Sequence, residues 1–223
     1  MTSSLSTPDN LLRWRHIVIE GPIGVGKTSL ARRLANHTGG RLMLERPEEN
    51  QFLERFYGDA ERWALPTQLA FLFQRIEQLR DLAQAAHFDQ MVISDFLLDK
   101  DSLFAQLTLD EEELSLYRRI YQGLQPQAPI PDLVIYLQAP AETLAERVNR
   151  RGNEFESVIT EDYLRRLSDA YSRFFHHYDK SPLLMINTGH LNPIDRDEDF
   201  ALLVRQIQTC LLYTSDAADE GLG

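Results

Sequence analysis

A chain of 223 residues, 43% hydrophobic and 26% charged, is long enough for one domain with a substantial core. Its formal net charge of −11 and pI near 5.0 argue against a nucleic-acid groove, where neutralising phosphates supplies most of the affinity. The single cysteine, Cys210, excludes an internal disulfide. No apolar run approaches the length of a membrane span, and Met1 to Asn10 lacks the basic and apolar regions of a secretory signal, so cytoplasm is expected.

In chain order, residues 1–12 are expected to be a frayed leader, and 13–210 a single domain. The β-branched run Ile17-Val18-Ile19 predicts a buried strand. Gly21-Pro22-Ile23-Gly24-Val25-Gly26-Lys27-Thr28 then fits G-x-x-x-x-G-K-[ST], with Ser29 next to it. Leu30, Ala31, Leu34 and Ala35 follow at helical spacing. Strand, glycine loop and helix in that order form a phosphate cradle. The glycines let backbone N–H groups turn inward, and the helix N-terminus adds its positive end. Lys27 would reach the outer phosphates, and the Thr28 hydroxyl would ligate Mg²⁺, which needs only one or two protein ligands.

A short second strand, Arg41 to Leu44, ends in Glu45. Residues 46–62 read as an irregular or short-helical crossing. A long helix is expected from Leu65, with Leu69, Leu72, Phe73, Ile76, Leu79 and Ala83 on its apolar positions. Met91 to Ser94 is a third strand, closed by Asp95. Helical patterns cover 102–108 and 111–123, the latter led by Glu111, Glu112 and Glu113, where the dipole favours acids. Leu133 to Leu137 is the fourth strand, followed by helices over 141–151 and 160–178. Leu183 to Ile186 is the fifth, and 197–212 a closing helix. From Leu211 the composition turns small and acidic, and 211–223 is expected to be a disordered tail, resembling a translated adapter. Five apolar strands separated by helices imply a parallel sheet covered on both faces.

Ligands of such sheets sit beyond the carboxyl ends of the strands. The P-loop, Glu45 and Asp95 fall there. Asp95 suits a share in Mg²⁺, and Glu45 suits taking a proton from an attacking hydroxyl; alternatively, either caps a turn. Gln68 and Arg75 lie on one helical face about 10 Å apart along the axis, holding a flat polar ligand or forming a solvated face. Arg147, Arg150 and Arg151, before Gly152, suit a lid over transferred phosphate or plain surface charge. Arginine is this chain's default cation, since lysine occurs only at 27, 100 and 180. The histidines show no ligand spacing.

The ordered set Glu20 to Thr28, Glu45, Phe56-Tyr57, Arg62-Trp63, Gln68, Arg75, Ser94-Asp95, Asp101 to Ala105, Arg151-Gly152 with Glu156, and Tyr163-Leu164 resembles the deoxynucleoside kinases, nearest their bacterial deoxyadenosine/deoxyguanosine branch. The resemblance implies a P-loop three-layer α/β sandwich with a five-stranded parallel sheet and a helical lid. It implies ATP-dependent phosphorylation of a deoxynucleoside 5′-hydroxyl, with Mg²⁺, in a homodimer. Glu45 would be the base. Gln68, Arg75 and Asp101 would read the nucleobase, with purines favoured, and Tyr57 and Glu156 would hold the 3′-hydroxyl. Lys27, Thr28 and Asp95 would manage phosphates and metal, and Arg147 and Arg151 would belong to the lid. Near 187–199, the run Asn-Pro-Ile-Asp-Arg-Asp-Glu-Asp-Phe resembles the donor-adenine loop.

The chain departs from the family twice. Phe96 stands where an arginine usually follows the strand-three acid, with Lys100 as its candidate replacement, and Asn153 stands in the lid's Arg-Gly-Arg. A thymidylate-type nucleotide kinase and a nucleotide-binding protein of degenerate activity are the rival readings. A GTPase switch would carry Asn-Lys-x-Asp, which does not occur.

Overall fold

The computed structural model describes residues 14–84, 90–124, 128–153, 156 and 158–219. The expected leader therefore lies outside the described residues. Five strands, β1 (His16–Glu20), β2 (Arg41–Met43), β3 (Val92–Ser94), β4 (Leu133–Gln138) and β5 (Leu183–Asn187), form one sheet in the order β2-β3-β1-β4-β5. Every pairing is parallel, with Ile17 of β1 aligned to Ile93 on one side and Leu133 on the other.

Alternation along the strands sorts the core into layers. Ile17, Ile19, Leu133, Ile135 and Leu137 face a cluster completed by α1 (Lys27–Thr38) and α8 (Asp197–Asp219), through Leu30, Leu34, Leu203 and Ile207. Val18, Val134 and Tyr136 point the other way, onto Leu167, Tyr171 and Phe175 of α7 (Glu161–His176) and Leu103 of α4 (Asp101–Thr108). A third cluster joins α2 (Leu53–Gly58), α3 (Ala60–Gln84) and α5 (Glu111–Leu124) around Leu72, Phe96 and Tyr117. Helix α6 (Ala141–Arg151) ends at Gly152, whose φ of 72° is the left-handed conformation glycine adopts most readily.

Two elements differ from expectation. Helix α3 begins at Ala60 and runs through Pro66 instead of starting at Leu65. The Asp59 carboxylate accepts the Arg62 N–H at 3.3 Å, and the Asp59 carbonyl accepts the Trp63 N–H, so Asp59 is the start signal. Helix α8 continues to Asp219, whereas the composition predicts a disordered tail over 211–223. Leu211 to Asp219 contains no glycine or proline to stop a helix already under way. Residues 220–223 lie outside the described residues.

Candidate active site

The loop from Gly21 to Gly26 turns back on itself through left-handed backbone. Gly24 has φ 83°, and a Cβ there would stand 2.8 Å from the Leu144 carbonyl oxygen, so the loop packs backbone to backbone on α6. Gly26 precedes α1 without a side-chain cap, leaving the first-turn N–H groups to a ligand. Lys27 Nζ donates to the Gly21 carbonyl at 2.7 Å and to that of Pro22 at 3.2 Å, folded over its own loop. Burial lowers the Lys27 pKa, and Lys100 nearby adds to the effect, while Glu20, Glu45 and Asp95 pull the other way.

Thr28 Oγ1 donates to Asp95 Oδ2 at 2.5 Å, and the Glu45 backbone N–H donates to Asp95 Oδ1 at 2.7 Å. Burial raises the Asp95 pKa against these two hydrogen bonds. A hydroxyl and a carboxylate side by side at the mouth of a phosphate loop are the hard oxygen donors that Mg²⁺ takes.

Across the cleft stands a network of buried charge. Arg75, 3% exposed, donates from Nε to Glu45 Oε1 at 2.9 Å and also pairs through Nη2 with that oxygen and through Nη1 with Asp101. Asp101 also accepts the Tyr117 hydroxyl at 3.1 Å. It is fully buried behind Arg75 and does not reach the cavity wall. Burial alone would raise the Glu45 carboxyl, but Arg75, Lys100 and Lys27 outweigh it and hold its pKa at about 2.

The Phe96 ring is buried in the core among Leu72, Ile76 and Tyr117, while Lys100 is buried at the cavity. Its Nζ lies 3.2 Å from Glu20 and 3.7 Å from Glu45 Oε1. Glu20 in turn accepts the Gly21 and Leu97 N–H groups at 3.0 and 2.9 Å and the Tyr171 hydroxyl at 3.0 Å. The phosphate loop and Lys100 are thus joined through one buried carboxylate. Glu20 appears in the sequence only as the residue before the loop, and nothing in its position signals this role.

Both sides line one cavity of about 800 Å³. Lys27, Glu45, Gln68, Arg75, Asp95 and Lys100 share its wall. Gln68 Nε2 donates to Thr108 Oγ1 at 3.3 Å. Tyr57 and Glu156 meet at the same wall with Tyr163; burial foremost, and then Tyr163 and Glu156, push the Tyr57 phenol up. The arginines of α6 separate by partner. Arg147 donates to Thr188 Oγ1 and to its carbonyl, both at 2.9 Å, and to the Val25 carbonyl at 3.3 Å, bracing the phosphate loop. Arg151 forks around Glu156 at 2.5 to 2.9 Å. Arg150 lines the cavity too, between these two. Asn192, Ile194 and Asp195 close the phosphate-loop end, where Asn192 and Asp195 bond to each other at 3.0 Å. Phe71 and Thr67, which carry no sequence motif, line the cavity as well, together with Phe104 of the Asp101 to Ala105 run.

The sequence pattern of the deoxynucleoside kinase family matches residues 17–212. A deoxyguanosine kinase of Bacillus subtilis is 38% identical over 158 residues, covering 70% of this chain and 75% of that protein. A deoxyadenosine kinase of Lactobacillus acidophilus is 30% identical over 190 residues, covering 79% of this chain and 86% of that one. Among solved structures, a deoxyadenosine kinase from M. mycoides with the products dCMP and a flexible dCDP bound superposes with a TM-score of 0.76. It is 25% identical and covers 87% of this chain and 99% of that one.

Proposed function

This chain belongs to the deoxynucleoside kinase family and phosphorylates deoxynucleosides, and from that premise we propose that ATP donates its terminal phosphoryl group to the 5′-hydroxyl of a purine deoxynucleoside. One observation carries the assignment of parts: the Glu45 carboxylate and the Lys27 loop line the same cavity, about 800 Å³ in volume. That size is at the upper end of the range for small-molecule sites, with space for a nucleoside facing a triphosphate.

Triphosphate oxygens take the N–H groups of the glycine loop and α1, with Lys27 released from the Gly21 and Pro22 carbonyls to meet them. Thr28 and Asp95 would hold Mg²⁺, which when bound neutralises charge on the transferring phosphate. Glu45 accepts the 5′-hydroxyl proton from a position fixed by Arg75 and Lys100, the latter standing for the arginine that Phe96 displaces. Tyr57 and Glu156 take the 3′-hydroxyl, with Arg151 orienting Glu156. Gln68 and Arg75 meet the base, and Asp101 acts behind Arg75. Arg147 steadies the phosphate loop, leaving Arg150 as the lid cation that faces the transferred phosphate.

A substrate bearing its own phosphate needs uncommitted cations at the acceptor end. Here Arg75 is engaged by Glu45 and Asp101, and Lys100 by Glu20, which favours a neutral alcohol over thymidylate. We place the protein in the cytoplasm as a homodimer; among the described residues no helix is long and apolar enough to cross a membrane.

Glu45→Gln keeps the shape and removes the base. Turnover of deoxyguanosine or deoxyadenosine should fall by about 10² or more, the usual contribution of a positioned base, with ATP binding retained. Turnover of Glu45→Gln near that of the wild type would defeat the mechanism.

A further inference from the structure

Gln68 is 4% exposed and lies on the cavity wall with Arg75. A side-chain amide carries an acceptor on one arm and donors on the other, so turning it over reverses what it reads. This amide is tied. Its Nε2 lies 3.3 Å from Thr108 Oγ1, and that hydroxyl lies 2.8 Å from the Phe104 carbonyl oxygen, one turn earlier in α4. A carbonyl only accepts, so the single Thr108 proton goes to Phe104, and the threonine oxygen has only lone pairs to offer Gln68. The shorter bond to Phe104 holds that proton, so the NH₂ arm of Gln68 faces Thr108.

We infer that Thr108 is a positioning residue for nucleobase choice: by holding the Gln68 amide one way round, it makes the cavity distinguish a 6-oxo from a 6-amino purine. Positions 6 and 1 of guanine present an acceptor and then a donor; those of adenine present a donor and then an acceptor. An amide fixed in one sense matches one of these edges and opposes the other, whereas an amide free to turn matches both. Thr108 does not line the cavity, so it acts through Gln68. The inference rests on the reading of this cavity as a nucleoside site with Gln68 at the base.

The test is kcat/KM for deoxyguanosine and deoxyadenosine, with ATP, in the wild type and in Thr108→Val, Thr108→Ala and Thr108→Ser. The wild type should prefer one purine by about tenfold or more, the scale on which one mismatched buried hydrogen bond discriminates. In both hydroxyl-free variants the ratio should fall to within about threefold of unity, by gain on the disfavoured purine. Thr108→Ser should keep the wild-type ratio. The inference is overturned if the wild type shows no preference, if Thr108→Val and Thr108→Ala keep its ratio or lose both activities equally, or if serine behaves like valine. Wild-type protein that phosphorylates neither purine nucleoside would instead remove the reading of the site itself.

Discussion

A buried ammonium is costly unless it is paired, and Lys100, 2% exposed, is paired twice over. Removing it strands the Glu20 carboxylate, which keeps three hydrogen bonds but loses its cation. Breaking a buried pair from one side typically costs about 3 to 5 kcal/mol, and Lys100→Met should lose stability on that scale in urea titrations. Adding Glu20→Gln should recover most of it. Activity separates the two roles: the double variant should still turn over at least about tenfold slower than the wild type, because Glu45 has lost a neighbouring cation. A double variant with wild-type kcat would restrict Lys100 to stability. The sequence marks Lys100 as one of three lysines, but its position between two carboxylates depends on the turn at Leu98–Lys100 and is visible only in three dimensions.

At the scale of elements, α3 carries Gln68 and Arg75, so whatever fixes its first turn also fixes the cavity wall. Asp59 does this through the Arg62 N–H. Asp59→Ala should cost about 1 kcal/mol, the ordinary loss of an N-cap, measurable as a shift in the urea midpoint at unchanged slope. Pro66 hides this start in the sequence, because a proline reads as a helix's first turn or its end. Here its ring removes the N–H due to the carbonyl of Arg62, an exposed residue at which water can substitute. The strands were legible because a parallel sheet covered on both faces demands unbroken apolar runs, as in Ile17 to Ile19 and Leu133 to Leu137. The phosphate loop was legible because its chemistry is local. What could not be read were contacts between distant elements: Tyr117 of α5 closing over Asp101, Thr188 after β5 receiving Arg147, and Thr108 of α4 holding Gln68.

For the molecule as a whole, acidity and phosphate binding coexist because the cations are gathered. Lys27, Arg75, Lys100, Arg147, Arg150 and Arg151 all line one cleft of a chain with net charge −11. Acid should weaken the fold through His16, whose pKa is lowered by burial to about 4 despite the pull of Asp132. The folded form takes up this proton less readily than the unfolded form, whose histidine titrates near 6.5. Stability is therefore lost as pH falls from above 6.5 toward 4. Between pH 7.5 and 5 the His16 share is about 2 kcal/mol, and His16→Gln should lose that much less than the wild type over the same interval. Glu45, held at about 2, adds a loss in the same direction only below about 4.5. The placement of β1 has a consequence for synthesis. Of the described strands, the first in chain order is the central one, and its neighbours wait for residues 92 and 133 to leave the ribosome. The bed beneath the phosphate loop comes later still, from the carbonyls of Leu137 and Leu144. A half-translated chain thus holds the phosphate-loop motif with nothing to seat it on, and the loop should take its shape only after residue 144 has emerged.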